Sequence, residues 1–74
     1  MRLSMPRRTN VRIDVFDAGG RLVKTLADGS YPAGPTDLHW DLRDKDGVAL
    51  VAGRYWIRAA LGAERILRTI SVLR

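Results

Sequence analysis

The sequence predicts an all-β fold, an antiparallel sandwich or small barrel of about seven short strands. Three observations carry this. Apolar and polar residues alternate with a period of two through most of the chain. Glycine- and proline-bearing segments interrupt the alternation every ~8–12 residues, as in small all-β domains. No segment sustains the roughly 3.6-residue period of an amphipathic helix.

Taken in order, a short strand fits residues 2–5. Residues 10–17 alternate clearly, with Val11, Ile13 and Val15 inward and Arg12 and Asp14 outward. Phe16 falls on the outward face, where a covering group is expected. Asp17-Ala18-Gly19-Gly20 suits a tight hairpin, because glycine takes positive φ without steric cost. In 21–27 the apolar Val23 and Leu26 stand three apart, which predicts a bulge or a change of frame. Residues 28–35 read as a long loop, since Pro32 and Pro35 lack the donor a central strand needs. The cleanest alternation is 36–42, with Leu38, Trp40 and Leu42 inward and Asp37, His39 and Asp41 outward. A turn at 43–47, a short strand at 48–51 and a turn at Ala52-Gly53 follow. Residues 54–61 put Tyr55, Ile57, Ala59 and Leu61 on one face and Trp56, Arg58 and Ala60 on the other. After Gly62-Ala63-Glu64 the last strand, 65–73, carries Ile66, Ile70 and Val72 on one face, with Arg68 interrupting the row. Leu67 and Leu73 share the opposite face with Thr69 and Ser71.

These residues carry a resemblance. Residues 11–17, Val-Arg-Ile-Asp-Val-Phe-Asp, followed by Gly20-Arg21-Leu22-Val23, resemble the opening signature of the FlgD-type immunoglobulin-like domain, named after the flagellar hook-capping scaffold protein. The pattern continues through Ala33-Gly34, Leu38-His39-Trp40-Asp41, residues 43–47, Val51-Ala52-Gly53-Arg54-Tyr55 and the closing run 65–74. Leu3-Ser4-Met5-Pro6 resembles the short first strand. Arg54 departs from the pattern, standing where an apolar residue is usual, and reads as a local surface change. The resemblance implies a small antiparallel immunoglobulin-like β-sandwich without catalysis. It is similar to modules at the C-termini of bacterial secreted and cell-surface proteins, and to sorting-type domains. An extracellular or cell-surface location is what the resemblance implies.

Length and composition set bounds. Seventy-four residues predict one domain over 1–74. A chain this short buries only ~60–65% of the surface exposed when unfolded, so its core is thin. With no cysteine, disulfides and thiolate metal sites are excluded, and the domain must stand on packing or on a partner. An apolar content of 46% argues against disorder. No apolar run approaches the ~20 residues of a membrane span. Residues 1–8 are basic with no apolar stretch behind them, which is not the pattern of a secretory signal.

Chemistry finds few parts. Asp41, Asp44 and Asp46 before Gly47 resemble a calcium loop, but the spacing lacks the late glutamate of an EF-hand. Asx-turns that satisfy backbone donors are the simpler reading. His39 is the only histidine, too few ligands for a transition-metal site. Ser4, Ser30 and Ser71 lie on separate segments, away from any nucleophile-elbow pattern. The expectation is a chain that is not an enzyme and that holds no cofactor or metal.

Binding is left. Of the thirteen cations eleven are arginine, giving a net charge of +5. They gather near the two ends of the chain, among them Arg7, Arg8, Arg65, Arg68 and Arg74. Arginine suits bidentate ion pairs at protein interfaces. Without a nucleic-acid-binding signature, and with aspartates spread among the arginines, a nucleic-acid partner is the weaker reading. Phe16, Trp56, Arg58, Leu67 and Leu73, on faces turned from the core, together with Arg7 and Arg8, form the candidate interaction set. The partner would be a protein: a parent chain, an assembly partner or copies of the domain itself. Contact through the unpaired edges of the first and last strands is the expected mechanism. The alternatives are a self-assembling oligomer or filament subunit, a small basic nucleic-acid-binding β domain, and a sugar-binding face with Trp56 and Tyr31 coplanar.

Overall fold

The computed structural model describes residues 2–73. Six strands form in chain order: β1 (Arg2–Met5), β2 (Thr9–Asp17), β3 (Leu22–Tyr31), β4 (Gly34–Asp37), β5 (Gly53–Leu61) and β6 (Glu64–Val72). They build two antiparallel sheets, one of four strands in the order β3-β2-β5-β6 and one of two, β1-β4. The all-β fold with its antiparallel sheets is as the sequence predicts. Arg74 lies outside the described residues.

The central strand is β2, which pairs with β3 on one side and β5 on the other. Its inward row, Val11, Ile13 and Val15, is buried as the alternation requires. The core has two halves. In one, Met5 from β1 covers Val11, Ile13, Ala27 and Ala59, with Leu3 and Leu38 packed at the margin. In the other, Leu50 joins Val15, Val23, Tyr55 and Val72, with half-buried Trp40 alongside. The second layer is therefore β1-β4 plus the segment 38–52. The described chain measures 37 × 20 × 19 Å with a radius of gyration of 12.7 Å. A compact chain of this length would have about 11 Å, so the core is drawn out along the strands and thin.

Two residues of β3 have no partner in β2. The register passes from Ile13↔Ala27 to Asp14↔Thr25, and from Val15↔Lys24 to Phe16↔Leu22. Leu26 and Val23 are thus the extra residues of two bulges, which lets the apolar pair three apart serve one core. The β5–β6 ladder, by contrast, runs unbroken from Leu61↔Glu64 to Gly53↔Val72. Gly62, at φ 60°, opens the two-residue turn that joins them, as a type II′ hairpin requires.

Several expectations are corrected. Residues 36–42 are not one strand: β4 ends at Asp37 and the chain then leaves the sheet. Leu38 and Trp40 still turn toward the core, because the segment lies over it as a cover. Leu42 is exposed and has φ 59°, so it closes a turn and contributes little to the interior. The seventh strand, 48–51, reduces to one isolated bridge, Arg43↔Ala49, because the tight turn between them leaves room for little more. The expected loop 28–35 is mostly strand: β3 continues to Tyr31, following the full length of β2, and only Pro32 and Ala33 separate it from β4. Pro35 sits in β4, which has a single neighbour and tolerates a missing donor.

Tyr55 is the one fully buried aromatic residue among the described residues. Its hydroxyl donates to the Val51 carbonyl at 2.7 Å and ties the cover segment to β5. Replacing Tyr55 with phenylalanine is expected to cost about 1 kcal/mol and lower Tm by about 4–8 °C in a scanning melt.

Candidate functional site

The outward face of the four-stranded sheet gathers most of the candidate residues. Register places Leu22, Phe16, Trp56 and Thr69 in one row across β3, β2, β5 and β6. Asp14, Arg58 and Leu67 lie in the next outward row. Trp56 is 39% exposed, Leu22 43% and Leu67 55%, an apolar strip on a face that alternation would make polar. Phe16, Trp56, Arg58, Leu67 and Gly20 border a shallow groove of about 400 Å³. The sequence missed Leu22, because the bulges hide which way β3 faces.

Phe16 is covered, as its outward position demanded. The Arg58 guanidinium lies over its ring, 4.8 Å from the centroid, a cation–π contact. Arg58 also reaches Asp14, Nη2 to Oδ2 at 3.6 Å.

Asp14 is the main surprise. Alternation puts it on the wet face, yet it is 2% exposed. Its Oδ1 accepts from the Thr25 hydroxyl at 2.7 Å and its Oδ2 from Arg12 Nε at 3.0 Å. Arg12 reaches on to Asp28 at 3.5 Å. Burial alone pushes the Asp14 carboxyl up. The Thr25 hydrogen bond, the Arg12 hydrogen bond and charge, and the Arg58 charge together outweigh burial and hold it below its ordinary value. Such a network orders the face around Phe16 and Arg58, since Arg58 is held from both sides. No catalytic role follows from it, because every partner stabilises the carboxylate as an anion.

The structure separates the rest of the candidate set. Arg7 and Arg8 lie between β1 and β2, before Thr9, at the end of β2 remote from Phe16. Arg8 Nη1 is 3.4 Å from the Ser30 hydroxyl. Leu73 is 87% exposed and lies past the end of β6. Tyr31 packs against the core opposite Thr9 on the inward side, so it does not share a face with Trp56 and no paired sugar platform forms.

The aspartate cluster is a turn. Asp44 Oδ1 accepts from the backbone N–H of Asp46 and of Val48, both at 2.9 Å, and Gly47 N–H donates to Asp44 O. Asp17 makes the same set of bonds to Gly19, Arg21 and Gly20. The two glycines at the fourth position have φ 82° and 85°. One Asp-x-x-Gly turn thus occurs twice, and in the first copy no second acid stands where Asp46 does. Asp41 Oδ1 accepts from Arg43 N–H and faces Lys24 Nζ at 3.6 Å. His39 is exposed in the segment after β4 instead of on a strand face. Among the described residues no three carboxylate or histidine side chains converge. Neither millimolar calcium nor a chelator is expected to move the melting temperature; a rise with calcium would show that these carboxylates bind it.

A family model described as the FlgD Ig-like domain matches residues 4–64. No curated protein and no solved structure matches the chain.

Proposed function

Because the chain belongs to the FlgD Ig-like domain family, a family of non-catalytic structural and interaction domains, we propose that residues 1–74 act as one scaffold module. It would be part of an exported or cell-surface bacterial protein and serve attachment or assembly. The observation that supports this is the outward strip beside a free edge. Leu67 and Trp56 are exposed next to β6, the last strand of its sheet, which has β5 alone as neighbour. β1 likewise has one neighbour, β4. Apolar surface beside unpaired backbone groups is the combination that protein partners use.

The test is a photo-cross-linking residue at position 67, in the bacterium that makes the protein, with position 48 as the remote exposed control. The expected result is a discrete protein adduct from position 67 only, in the extracytoplasmic fraction. An adduct to nucleic acid, or a cytoplasmic location, would overturn the reading. An adduct of two copies of this chain would replace it with the self-assembly version.

A further inference from the structure

We propose that the free edge of β6 is a docking seam for an extended acidic segment of a partner protein, which adds to the sheet as a fifth strand. This rests on the interaction-module reading and names the partner's chemistry.

Charge points to the occupant. The β5–β6 hairpin carries Arg54, Arg58, Arg65 and Arg68 against the single acid Glu64. Residues 2–52 carry eight cations and seven acids, close to balance. Ion pairs engage Arg2, Arg12, Lys24 and Arg58. Among the described residues, no carboxylate lies within ion-pair distance of Arg54, Arg65 or Arg68.

The edge itself is open and straight in register. Arg65 Nη1 donates to the Gly62 and Glu64 carbonyls, and Arg68 Nη1 to the Leu67 carbonyl, each at 3.0 Å. Gly62 and Glu64 belong to the hairpin turn and its closing pair, whereas the Leu67 carbonyl, two residues along from Arg65, points to the side of β6 that has no neighbouring strand. An incoming acid would draw the guanidinium away, and backbone N–H groups of the added strand could then take over exposed carbonyls.

Side-chain alternation sets the pattern of the partner. Arg65 and Leu67 stand on the outward face, while Arg68 stands on the inward row at the margin of the core. A strand laid along β6 meets one arginine on each face. The matching chain therefore has two acids three positions apart, with an apolar residue next to the acid that meets Arg68, where it covers Leu67. A second copy of this chain fits less well, because its β5–β6 hairpin brings four arginines and a single acid to the seam, so pairing β6 with itself leaves most of the arginines without a carboxylate. Single-stranded nucleic acid fits less well too. Its bases need a run of open aromatic faces, and on this face Trp56 is the one exposed ring, since Arg58 lies over Phe16.

The test titrates the full isotope-labelled chain with a synthetic strand-forming peptide of about ten residues. Two aspartates stand three apart in it, with valine and threonine between them. Binding should shift the β6 amides and protect them from exchange. Lysine in place of the aspartates should weaken binding by about tenfold or more. So should N-methylation of alternate peptide amides, which keeps the charge and removes strand pairing, again by about tenfold. In the protein, Arg68→Glu should cost about tenfold, and Lys45→Glu, an equal change in net charge on the other side of the molecule, less than about threefold. Equal binding of the N-methylated peptide, or shifts confined to β3, would overturn the seam. A single-stranded oligonucleotide that held this edge at about 200 mM salt would overturn the seam and the interaction-module reading together. If no peptide binds while position 67 still cross-links to a protein, only the seam falls.

Discussion

Truncating Ile13 to alanine is expected to cost about 3–4 kcal/mol, in the middle of the range for aliphatic deletions in cores. A chain of this length has a total stability of about 4–11 kcal/mol, so the variant should lose from about a third of it to nearly all. Ile13 has no exposed surface and sits in the central strand, between Ala27 and Ala59 in register. Both neighbours are small, and the second layer above them is the short β1 with Met5. Met5 is the flexible neighbour that can fill part of the space left, which keeps the expected cost within the middle of the range. Urea titration should show a midpoint far below that of the parent, with an unchanged slope. Val51→Ala is the control: Val51 is 76% exposed, and its replacement should stay within about 0.5 kcal/mol. An Ile13→Ala loss below about 1 kcal/mol would mean that the thin core can collapse to fill the gap.

The second large effect is expected at Asp14. Asp14→Ala should cost about 2–3 kcal/mol, the range for a lost charge-assisted hydrogen bond with its partners left behind. The Thr25 hydroxyl loses its acceptor, while Arg12 and Arg58, both about half exposed, regain water and soften the loss. Asp14→Asn should cost less but change the pH profile. The folded carboxyl titrates below its ordinary value of 3.8, so the unfolded chain takes up the proton first as pH falls. Its stabilisation is complete well above pH 3.8 and is lost as pH drops through the lower folded value. Melts of the parent should therefore fall more steeply on the acid side than melts of Asp14→Asn. Parallel acid limbs would remove Asp14 from the account of acid stability.

Much of the fold was legible because local rules and tertiary structure agree in β2, β5 and β6. There, alternation, turn glycines and burial all point to one frame. The spacing of Val23 and Leu26 even announced the bulges of β3. The failures have physical causes. Leu38 and Trp40 alternate because they cover a core from above, and a covering segment leaves the same trace in sequence as a strand. Trp40 is fixed there by its indole N–H, which donates to Arg43 O at 3.1 Å, a local bond that no period reveals. Asp28 to Tyr31 has turn-like composition yet pairs, because β2 offers an edge along its whole length. Asp14 was misplaced because burial on an outward face depends on cross-strand neighbours. Thr25 and Arg58 come beside it only once the register is known. Of the candidate set, Phe16, Trp56, Arg58 and Leu67 were brought together by frame alone. Arg7 and Arg8 had only their nearness to a chain end in common, which says nothing about shared surface, and Leu73, placed in the frame of Leu67, falls past the end of β6.

The two outer strands of the four-stranded sheet are unequal. β3 is bent by the bulges at Val23 and Leu26, and an added strand would lose register along it. β6 has an unbroken ladder behind it. A sheet that accepts a neighbour on one side and refuses it on the other has polarity. With a partner strand on β6, the module would finish another protein's sheet, because β3 offers no straight edge at the far side of the same sheet on which the pairing could continue.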